Sequence, residues 1–458
     1  MNMGTYRIEK DSMGEVQVPA EALYGAQTQR AVTNFTIPSQ TMPWNFIEAV
    51  LLIKAAAARA NEKLGLLAQD NADLICNAVD ELLLTRPIDQ FPISIYQTGS
   101  GTSTNMNVNE VIVGMVRKKG VELSPNDHVN LCQSSNDVIP AAIHISSVYA
   151  ATVSLLPALK ELAEIIRKFG TEHSDVIKTA RTHLMDALPI RLQSEVEGWA
   201  VQIDECIERI ESTFPRMSRL PLGGTAVGSG VNCHPGFPSK VIANINKKTD
   251  LAFTQAISCY KGLSSLDTIV EFSGHLKTCA ISLSKIANDL RWMNSGPLGG
   301  LGEIKLPALQ PGSSIMPAKV NPVIPEAVCM AAAQVIGNDT TINLAGLGGS
   351  FQLNTMLPLA AATILQSIEL LAGSAGILGE KAIKNMTVNR QAFERVLSLN
   401  PILVTSLNPV VGYLKAAEIA KIAQIENRTV LDVALEQTDI PREELQRLLD
   451  PKNLADGN

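Results

Sequence analysis

The sequence predicts a mainly α-helical protein with a bundle of long helices at its centre, and three observations support this. Hydrophobic residues make up 46% of the 458 residues and charged residues 18%, which is enough apolar material for a large core and excludes general disorder. Aromatic residues make up only 4%, so the core must consist mainly of Ala, Leu, Ile and Val, which suits closely packed helices. Several long segments also have helical periodicity.

The pattern along the chain predicts three domains. Residues 1–136 form a mixed amino-terminal domain, in which Gly, Pro and polar clusters leave one clear helical stretch at residues 45–64 and some weak strand signals. Residues 137–373 contain the long helical segments and form the central bundle domain. Residues 374–458 form a small carboxy-terminal domain of short helices, which are interrupted near Pro401, Pro409 and Pro441.

Two segments of the central domain show the helical periodicity clearly. In residues 196–210 apolar side chains recur every three or four positions, and charged side chains occupy the opposite face. A second apolar stripe runs through residues 272–290. Helices that are apolar over more than one face must bury the second face against another surface, which favours a homo-oligomer.

Charge and hydropathy exclude several classes of protein. The formal net charge is −7 and no block of basic residues occurs, which argues against a nucleic-acid-binding surface. The apolar run at residues 356–365 is interrupted by Pro358 and followed by Gln366 and Glu369. A membrane span needs about 20 apolar residues, so this run is too short. We therefore expect no membrane partner.

The seven cysteines and the amino terminus predict a cytoplasmic protein. The cysteines are widely spaced and never form a Cys-x-x-Cys pair, so we interpret them as free thiols of a reducing compartment. The first residues have no apolar signal core. The histidines and acidic residues form no metal-binding motif, so we expect neither a metal site nor a cofactor, and His144 is interpreted as a core or interface residue.

Four clusters of small polar residues are the candidates for function. They lie at residues 97–110, 133–140, 181–190 and 311–326, the last three close to a proline and a long helical segment. Helix capping explains any single cluster, because Ser, Thr, Asn and Asp are favoured at helix amino termini. Such termini also bind anions through their free N–H groups, so four of them could converge on one dianionic ligand.

The last cluster is the most specific. Ser313 follows Gly312 in a predicted loop, Lys319 provides a cation, and Asn321 provides an amide before the next helix. A serine acts as a base only where positive charge and N–H donors stabilise its alkoxide, and this cluster could supply both. His183 could be structural at a helix start, or it could be an acid–base group that Glu326 orients.

The run GSSIMPAKVNP at residues 312–322 resembles the signature loop of the fumarase/aspartase superfamily. The similarity continues through YGAQTQR at 24–30, QSSNDV at 133–138 and RTHLMDALP at 181–189, and it covers nearly the whole chain. Within the superfamily the chain looks more similar to the class II, metal-free fumarate hydratases than to the aspartate ammonia-lyases.

The resemblance implies an assembly as well as a subunit fold. It implies a homotetramer whose core is a bundle of twenty helices, five from each three-domain subunit. Each active site would be formed by three different subunits, which would explain why the polar clusters are dispersed along the chain. The substrates implied are fumarate and malate, with no metal and no cofactor.

The resemblance also implies a role for each matched residue. Ser313 matches the serine that removes the C3 proton, and His183 matches the histidine that handles water at C2, with Glu326 as its carboxylate partner. Lys319 and Asn321 match groups that hold the substrate carboxylate. The other matched positions bind substrate, and they are Ser100, Thr102, Ser134, Ser135, Asn136, Thr182 and Ser314. Asn126 and Asp127 match part of a second, peripheral dicarboxylate site.

Two reactions remain open, because hydration of fumarate and deamination of aspartate share one carbanion. Thr98, Ser100 and Ser135 are typical of fumarases, and they belong to the pocket that contacts C2. Ser124 replaces a histidine of the fumarase second site, and Gln352 looks more like aspartase. We give the pocket more weight and expect reversible hydration of fumarate to (S)-malate in the citric acid cycle. Because the proposed catalytic residues are all present, a non-catalytic structural or binding role is disfavoured.

Overall fold

The structure is a computed structural model that describes residues 5–457, and most of these residues are helical. The helices, labelled α1 to α19 in chain order, are Ala26–Asn34, Trp44–Lys63, Gln69–Thr85, Thr102–Arg117, Ser135–Ala150, Leu156–Glu172, Leu192–Glu211, Phe214–Met217, Phe237–Thr249, Cys259–Ser264, Asp267–Met293, Val323–Gly346, Leu357–Ile377, Arg390–Ser398, Asn408–Val411, Tyr413–Glu426, Val430–Gln437, Arg442–Leu448 and Pro451–Ala455. The prediction of a mainly α-helical fold with long central helices is confirmed.

The shorter elements connect these helices. Single π-helical turns lie at Pro125–Val129, Ala151–Leu155 and Leu378–Ile383, and 3₁₀ turns lie at Ile88–Gln90 and Pro401–Leu407. The strands, labelled β1 to β10, are Tyr6–Asp11, Gly14–Pro19, Ile177–Thr182, Met185–Arg191, Arg219–Leu220, Thr254–Gln255, Ile304–Lys305, Gly349–Ser350, Leu353–Asn354 and Thr387–Val388. They pair only in twos, as β1–β2, β3–β4, β5–β6, β7–β10 and β8–β9, and β5–β6 is the parallel pair.

The chain forms two compact units. The first unit contains Met1–Pro157, Glu208–Thr278 and Ala333–Leu371, and the second contains Ala158–Ile207, Cys279–Ala332 and Ala372–Asn458. The boundaries between them fall inside the long helices α6, α7, α11, α12 and α13. These units group segments by contact rather than by order along the chain, and the division into three domains stays a prediction.

The first unit is built around α2, which confirms the helix predicted at residues 45–64. Alanines and aliphatic residues of α2 are buried on nearly every side, where the helix packs against α3, α5 and α9. Small side chains allow neighbouring backbones to come close, and Asn244 of α9 donates from Nδ2 to the carbonyl oxygen of Ala56 at 3.0 Å. The low aromatic content of the sequence is therefore matched by close helix packing.

Helices α1, α3 and α4 were not predicted, so the prediction of a single helix before residue 130 is wrong. The apolar face of α3, with Ala72, Ile75, Val79 and Leu82 buried, has ordinary helical spacing. The case of α4 is different, because its first half buries polar side chains, among them Asn107. Burial of amides removes the contrast between an apolar and a polar face, and the periodicity disappears with it.

A β-hairpin in the middle of the chain also contradicts the expectation that strands are confined to the amino terminus. Strands β3 and β4 pair antiparallel, with Thr182 opposite Met185, so that His183 and Leu184 form a two-residue turn. Both turn residues have positive φ, 57° and 62°, as a type I′ turn requires. The turn lacks the usual Gly or Asn, which is why no hairpin could be predicted here.

Two helices are longer and more apolar than expected. The helical stretches Ser135–Glu172 and Leu357–Ile383 would be long and apolar enough to cross a bilayer, judged by length and composition alone. The second one continues through Gln366 and Glu369, so the expectation that these residues end the apolar run is wrong. In their most apolar windows 72% and 67% of the residues are buried inside the protein, as in core helices, so they are weak evidence for a membrane span.

In the second unit, a buried carboxylate fixes the base of the β3–β4 hairpin. Lys178 of β3 is almost completely buried, and its Nζ lies 2.7 Å from Glu195 Oε2 and 3.2 Å from Glu303 Oε2. Glu303 also accepts a hydrogen bond from Arg181. On the hairpin's other side, the buried Asn400 donates to the carbonyl oxygen of Ala187 at 2.8 Å. The hairpin therefore projects from an anchored base.

We predict that Glu303→Gln destabilises the protein by about 3 kcal/mol, because it leaves buried cationic groups with one carboxylate fewer. Urea unfolding followed by circular dichroism measures this change. The matched control is Glu380→Gln, which removes a carboxylate from an exposed pair with Lys384 and should cost no more than about 0.5 kcal/mol. Equal shifts of the two unfolding midpoints would show that the Glu303 cluster is not a stabilising anchor.

Candidate active site

Five of the predicted substrate-binding residues come together in the first unit, where α4 and α5 begin. Ser100 Oγ lies 2.8 Å from Thr102 Oγ1, and Thr102 Oγ1 lies 2.8 Å from Ser135 Oγ, so three hydroxyls form one hydrogen-bonded chain. Ser134 and Asn136 flank Ser135 at the start of α5. The structure thus joins two clusters that are about thirty residues apart in sequence into one group of hydroxyl and amide donors.

The local backbone explains why both helices begin at this place. Gly101 precedes α4 with φ of 73°, a conformation that glycine adopts without strain. Ser134 caps α5, because its Oγ accepts the N–H of Asn136 and its own N–H donates to Asp137 Oδ1 in a capping box. The interpretation as helix capping is therefore correct for Ser134. It does not exclude anion binding, because helix amino termini carry partial positive charge.

Asp137 connects the start of α5 to the glycine-rich turn that follows residue 222. Its Oδ2 accepts the backbone N–H groups of Gly223 at 3.0 Å and Thr225 at 2.9 Å. Asn136 donates from Nδ2 to the carbonyl oxygen of Ala226 at 2.8 Å. Burial raises the pKa of Asp137 to about 6, although these N–H donors act to lower it. The turn therefore fixes the orientation of the α5 amino terminus.

Asp137 and Lys54 were not predicted as residues of the site. Lys54 is fully buried in α2, and it donates to Asn105 Oδ1 at 2.7 Å in the first turn of α4. The signal was present, because a lysine stands inside the apolar run LLIKAAAA at residues 51–58. A charge in such a run is rarely left without partners.

In the second unit, the loop at residues 312–321 surrounds the serine that was predicted as the base. Ser313 Oγ accepts the backbone N–H groups of Met316 at 3.0 Å and Ile315 at 3.3 Å. The loop is closed by a hydrogen bond from the Gly312 N–H to the Lys319 carbonyl oxygen and by one from Asn321 Nδ2 to the Gly312 carbonyl oxygen, both 2.8 Å long. Two N–H donors on a hydroxyl oxygen are what an alkoxide needs.

Lys319 and Glu326 lie near this loop with their side chains available. Lys319 is exposed, and within residues 5–457 it forms no ion pair. Glu326 lies in the first turn of α12, and Pro325 beside it confirms that proline occupies this turn. Both residues line a cavity of about 1070 Å³ together with Asn321, which shows that this part of the second unit is open to small molecules.

His183 is placed differently from the expectation. It lies in the exposed turn between β3 and β4, not at a helix start, and Thr182 ends β3 beside it. Among the described residues of one chain, no hydrogen bond joins His183 to Glu326. The imidazole therefore projects from the tip of an anchored hairpin and is free to contact a partner.

The remaining predicted residues are in other surroundings. Asn126 and Asp127 lie in the π-helical turn of the first unit, where Asp127 Oδ2 accepts from Ser124 Oγ at 2.7 Å and the Asp127 N–H donates to Ser124 Oγ at 3.0 Å. Ser124 thus caps this turn and Asp127 is its partner, and a second dicarboxylate site there stays a prediction. Ser314 is an exposed residue of the 312–321 loop.

His144 and the seven cysteines have the surroundings that the sequence predicts. His144 is buried and its Nδ1 lies 2.8 Å from the carbonyl oxygen of Met217, while burial lowers its pKa to about 4. All seven cysteines are free thiols. In the described part of the chain, no group of three or more His, Cys, Asp and Glu side chains is placed to hold a metal ion.

We predict that Gly312→Ala lowers kcat for the expected hydration of fumarate by about a hundredfold or more. A Cβ at Gly312 would lie 2.4 Å from the Lys319 carbonyl oxygen, so the loop would have to open. Steady-state kinetics measures the change. The matched control is Gly299→Ala, whose added Cβ would meet no atom within 4 Å, so that its kcat should stay near that of the parent protein. Equal kcat values for both variants would show that closure of the loop is not needed.

Comparison with known proteins assigns the chain to a family. The family described as Lyase matches residues 14–337, and the family described as Fumarase C C-terminus matches residues 403–456. "Fumarate hydratase class II 2" of Pseudomonas aeruginosa is 53% identical over 98% of this chain and 99% of its own length. "Fumarate hydratase class II" of Mycobacterium tuberculosis is 48% identical over 98% of this chain and 96% of its own length.

Solved structures agree with this assignment. The recombinant class II fumarase of Schistosoma mansoni has a TM-score of 0.95 at 35% identity, over 98% of this chain and 99% of that one. The cobalt-bound "fumarate lyase:delta crystallin" of Brucella melitensis has a TM-score of 0.94 at 38% identity, over 98% of this chain and 100% of that one. The chain therefore belongs to the class II fumarate hydratase family of the fumarase/aspartase superfamily.

Proposed function

We propose that this protein is a fumarate hydratase, a carbon–oxygen lyase that catalyses the reversible anti addition of water to fumarate to give (S)-malate. The observation that carries the proposal is the 312–321 loop, where the Ser313 oxygen accepts two backbone N–H groups beside an exposed lysine. The high identity to class II fumarate hydratases over nearly the whole chain supports the same reaction. We also propose that the reaction serves the citric acid cycle.

The chemistry assigns a role to each group. In the direction from malate, Ser313 removes the C3 proton, and the product is an aci-carboxylate with additional negative charge. Lys319 and Asn321 hold the carboxylate on which this charge develops, so that fixed positive charge is in place before the proton leaves. His183 then protonates the leaving hydroxyl at C2, with Glu326 as its carboxylate partner. These steps use side chains and helix dipoles of the protein.

The hydroxyl and amide group at the starts of α4 and α5 binds the rest of the substrate. Ser100, Thr102 and Ser135 offer hydroxyl donors, and the two helix amino termini add partial positive charge. The additional residues of this binding group are Ser134, Asn136, Thr182 and Ser314. A dicarboxylate fits such a surface because its charge is met by many neutral donors.

Self-association as a homotetramer is part of the proposal, with each active site formed by three subunits and a core of twenty helices. Its support is the face of α12 opposite the buried stripe, where Met330, Ile336 and Leu344 are 69%, 40% and 60% exposed. Large apolar side chains in a row on a long helix are costly to leave in water. A second copy of the same helix is a natural partner for this face.

We also propose that the protein acts in the cytoplasm. Its seven cysteines are all free thiols, and three of them, Cys233, Cys259 and Cys329, are only partly buried. Partly exposed thiols persist in a reducing compartment.

Purified protein should consume fumarate in buffer without ammonium, and the loss of fumarate absorbance measures this reaction. Ammonium is the control, because an aspartate ammonia-lyase uses ammonia where a hydratase uses water. Addition of ammonium salts at constant ionic strength should leave the rate unchanged and should form no aspartate. Strict dependence on ammonium would contradict the proposal and establish deamination as the reaction.

Ser313→Ala should lower kcat by about a thousandfold, because no other group of the loop can take the C3 proton. The exchange of the malate C3 proton with D₂O, followed by NMR, should fall in the same proportion. Inhibition by succinate, a dicarboxylate that does not react, provides the control, and it should be retained because the variant removes one oxygen only. Activity within about tenfold of the parent protein would remove Ser313 from the role of base.

A further inference from the structure

A buried lysine that the proposed chemistry does not use lies at the centre of an amide network in the first unit. Lys54 Nζ donates to Asn105 Oδ1 at 2.7 Å, to Asn130 Oδ1 at 3.0 Å and to Gln133 Oε1 at 3.0 Å. The side chain is fully buried on α2. A lysine is almost never buried to this degree unless its partners are specific.

The neighbouring hydrogen bonds determine which amide atoms face the lysine. Gln133 Nε2 donates to the carbonyl oxygens of Val129 and Leu131, and Asn130 Nδ2 donates to the carbonyl oxygen of Gln133. Their amide oxygens must therefore point towards Lys54. Three oxygens around one nitrogen need three N–H donors, and a lysine has three only as the ammonium ion. All three hydrogen bonds therefore form together only when Lys54 is charged.

The three amides belong to the segments that carry the substrate-binding hydroxyls. Asn105 donates its N–H to the Gly101 carbonyl oxygen at 3.0 Å and completes the first turn of α4, one turn after Thr102. Gln133 directly precedes Ser134, the cap of α5. Lys54 therefore connects the starts of both helices through hydrogen bonds to one ammonium group.

The charge of Lys54 is not neutralised by contact with a carboxylate. In the described part of the chain, Asp137 on α5 is the charged group that acts on it, and it does so without a hydrogen bond. The sides provided by α4 and the turn after Val129 present amides. Helices α3 and α9 also pack on α2, but their charged groups Asp73, Asp80 and Lys248 form ion pairs elsewhere and are not among the groups that shift the pKa of Lys54. A positive charge in a low-dielectric interior acts over a longer distance than one in water.

We propose that Lys54 is a positioning residue of the dicarboxylate site: its ammonium group holds the amino termini of α4 and α5 in register and adds a full positive charge to the field that binds the substrate dianion. The inference rests on the proposed function of that site. Lys54 adds a cation from the interior of the subunit to the cation that Lys319 provides on the loop.

The first test compares Lys54→Met with Lys63→Met. Both variants remove one lysine charge from α2, but Lys63 is exposed at the end of the helix and touches none of the amides. In Lys54→Met the KM for fumarate and the inhibition constant of succinate should rise by about tenfold or more, and kcat should change less. Lys63→Met should keep the parent values. Equal constants for the two variants would overturn the proposal.

The pH dependence separates an electrostatic role from a merely structural one. Burial lowers the pKa of Lys54 to about 7, and the charge of Asp137 raises it. A bound dianion favours the ammonium form, so succinate binding should weaken as pH rises above 7, by up to about tenfold per pH unit. This decrease should be absent from Lys54→Met. If Lys54→Met shows the same decrease, the charge of Lys54 has no part in binding.

A second variant covers the case in which Lys54→Met does not fold. Asn105→Asp keeps both the lysine and the side-chain volume, and it places a carboxylate on the ammonium group. That carboxylate should raise the pKa of Lys54 and move the weakening of succinate binding to higher pH, while the partly cancelled field raises the inhibition constant. An unchanged constant and an unchanged pH profile would overturn the proposal.

Calorimetry provides a third measurement. At about pH 8, titrations in two buffers of different ionisation enthalpy should detect proton uptake when succinate binds to the parent protein, and Lys54→Met should show none, because Lys54 is the group that becomes charged. Proton uptake that persists in Lys54→Met would overturn the proposal. Failure of the proposed function is a different result, since the parent protein would then not hydrate fumarate at all. Parent activity together with unaffected Lys54 variants would reject only the role of Lys54.

Discussion

A dianion leaves water only where fixed positive charge replaces its hydration, and in the proposed function the meeting of two helix amino termini satisfies that constraint. The starts of α4 and α5 are brought together by contacts from several parts of the first unit. Asp137 ties α5 to the glycine-rich turn, and Lys54 ties both helix starts to α2. The hydroxyl and amide side chains at both helix starts are thus carried by segments to which buried charged groups are hydrogen-bonded.

Much of the architecture could be predicted from the sequence, because long helices with one apolar stripe follow a simple period. The predicted segments around residues 196–210 and 272–290 are parts of α7 and α11. Prediction failed where burial did not follow polarity. The start of α4 buries amides, and the β3–β4 turn is formed by His183 and Leu184 without the residues that usually mark a hairpin.

The candidate site could be predicted in part for the same reason. Composition and spacing identified the clusters of small polar groups, such as Ser313 and the hydroxyls around Thr102, because small polar residues near glycine are unusual in a helical chain. They could not identify partners that are distant in sequence. Lys54 and Asn105 are about fifty positions apart, and only the folded chain shows that one donates to the other. Supporting contacts of this kind have no local pattern.

The apolar face of α12 has a consequence for how the protein behaves in the cell. If Met330, Ile336 and Leu344 are covered only by another copy, every active site depends on the concentration of the chain itself. Synthesis below the dissociation constant of the assembly would yield folded subunits that carry every catalytic group and convert no substrate. The threshold at which turnover appears would then be set by the hydrophobic contacts of this helix face.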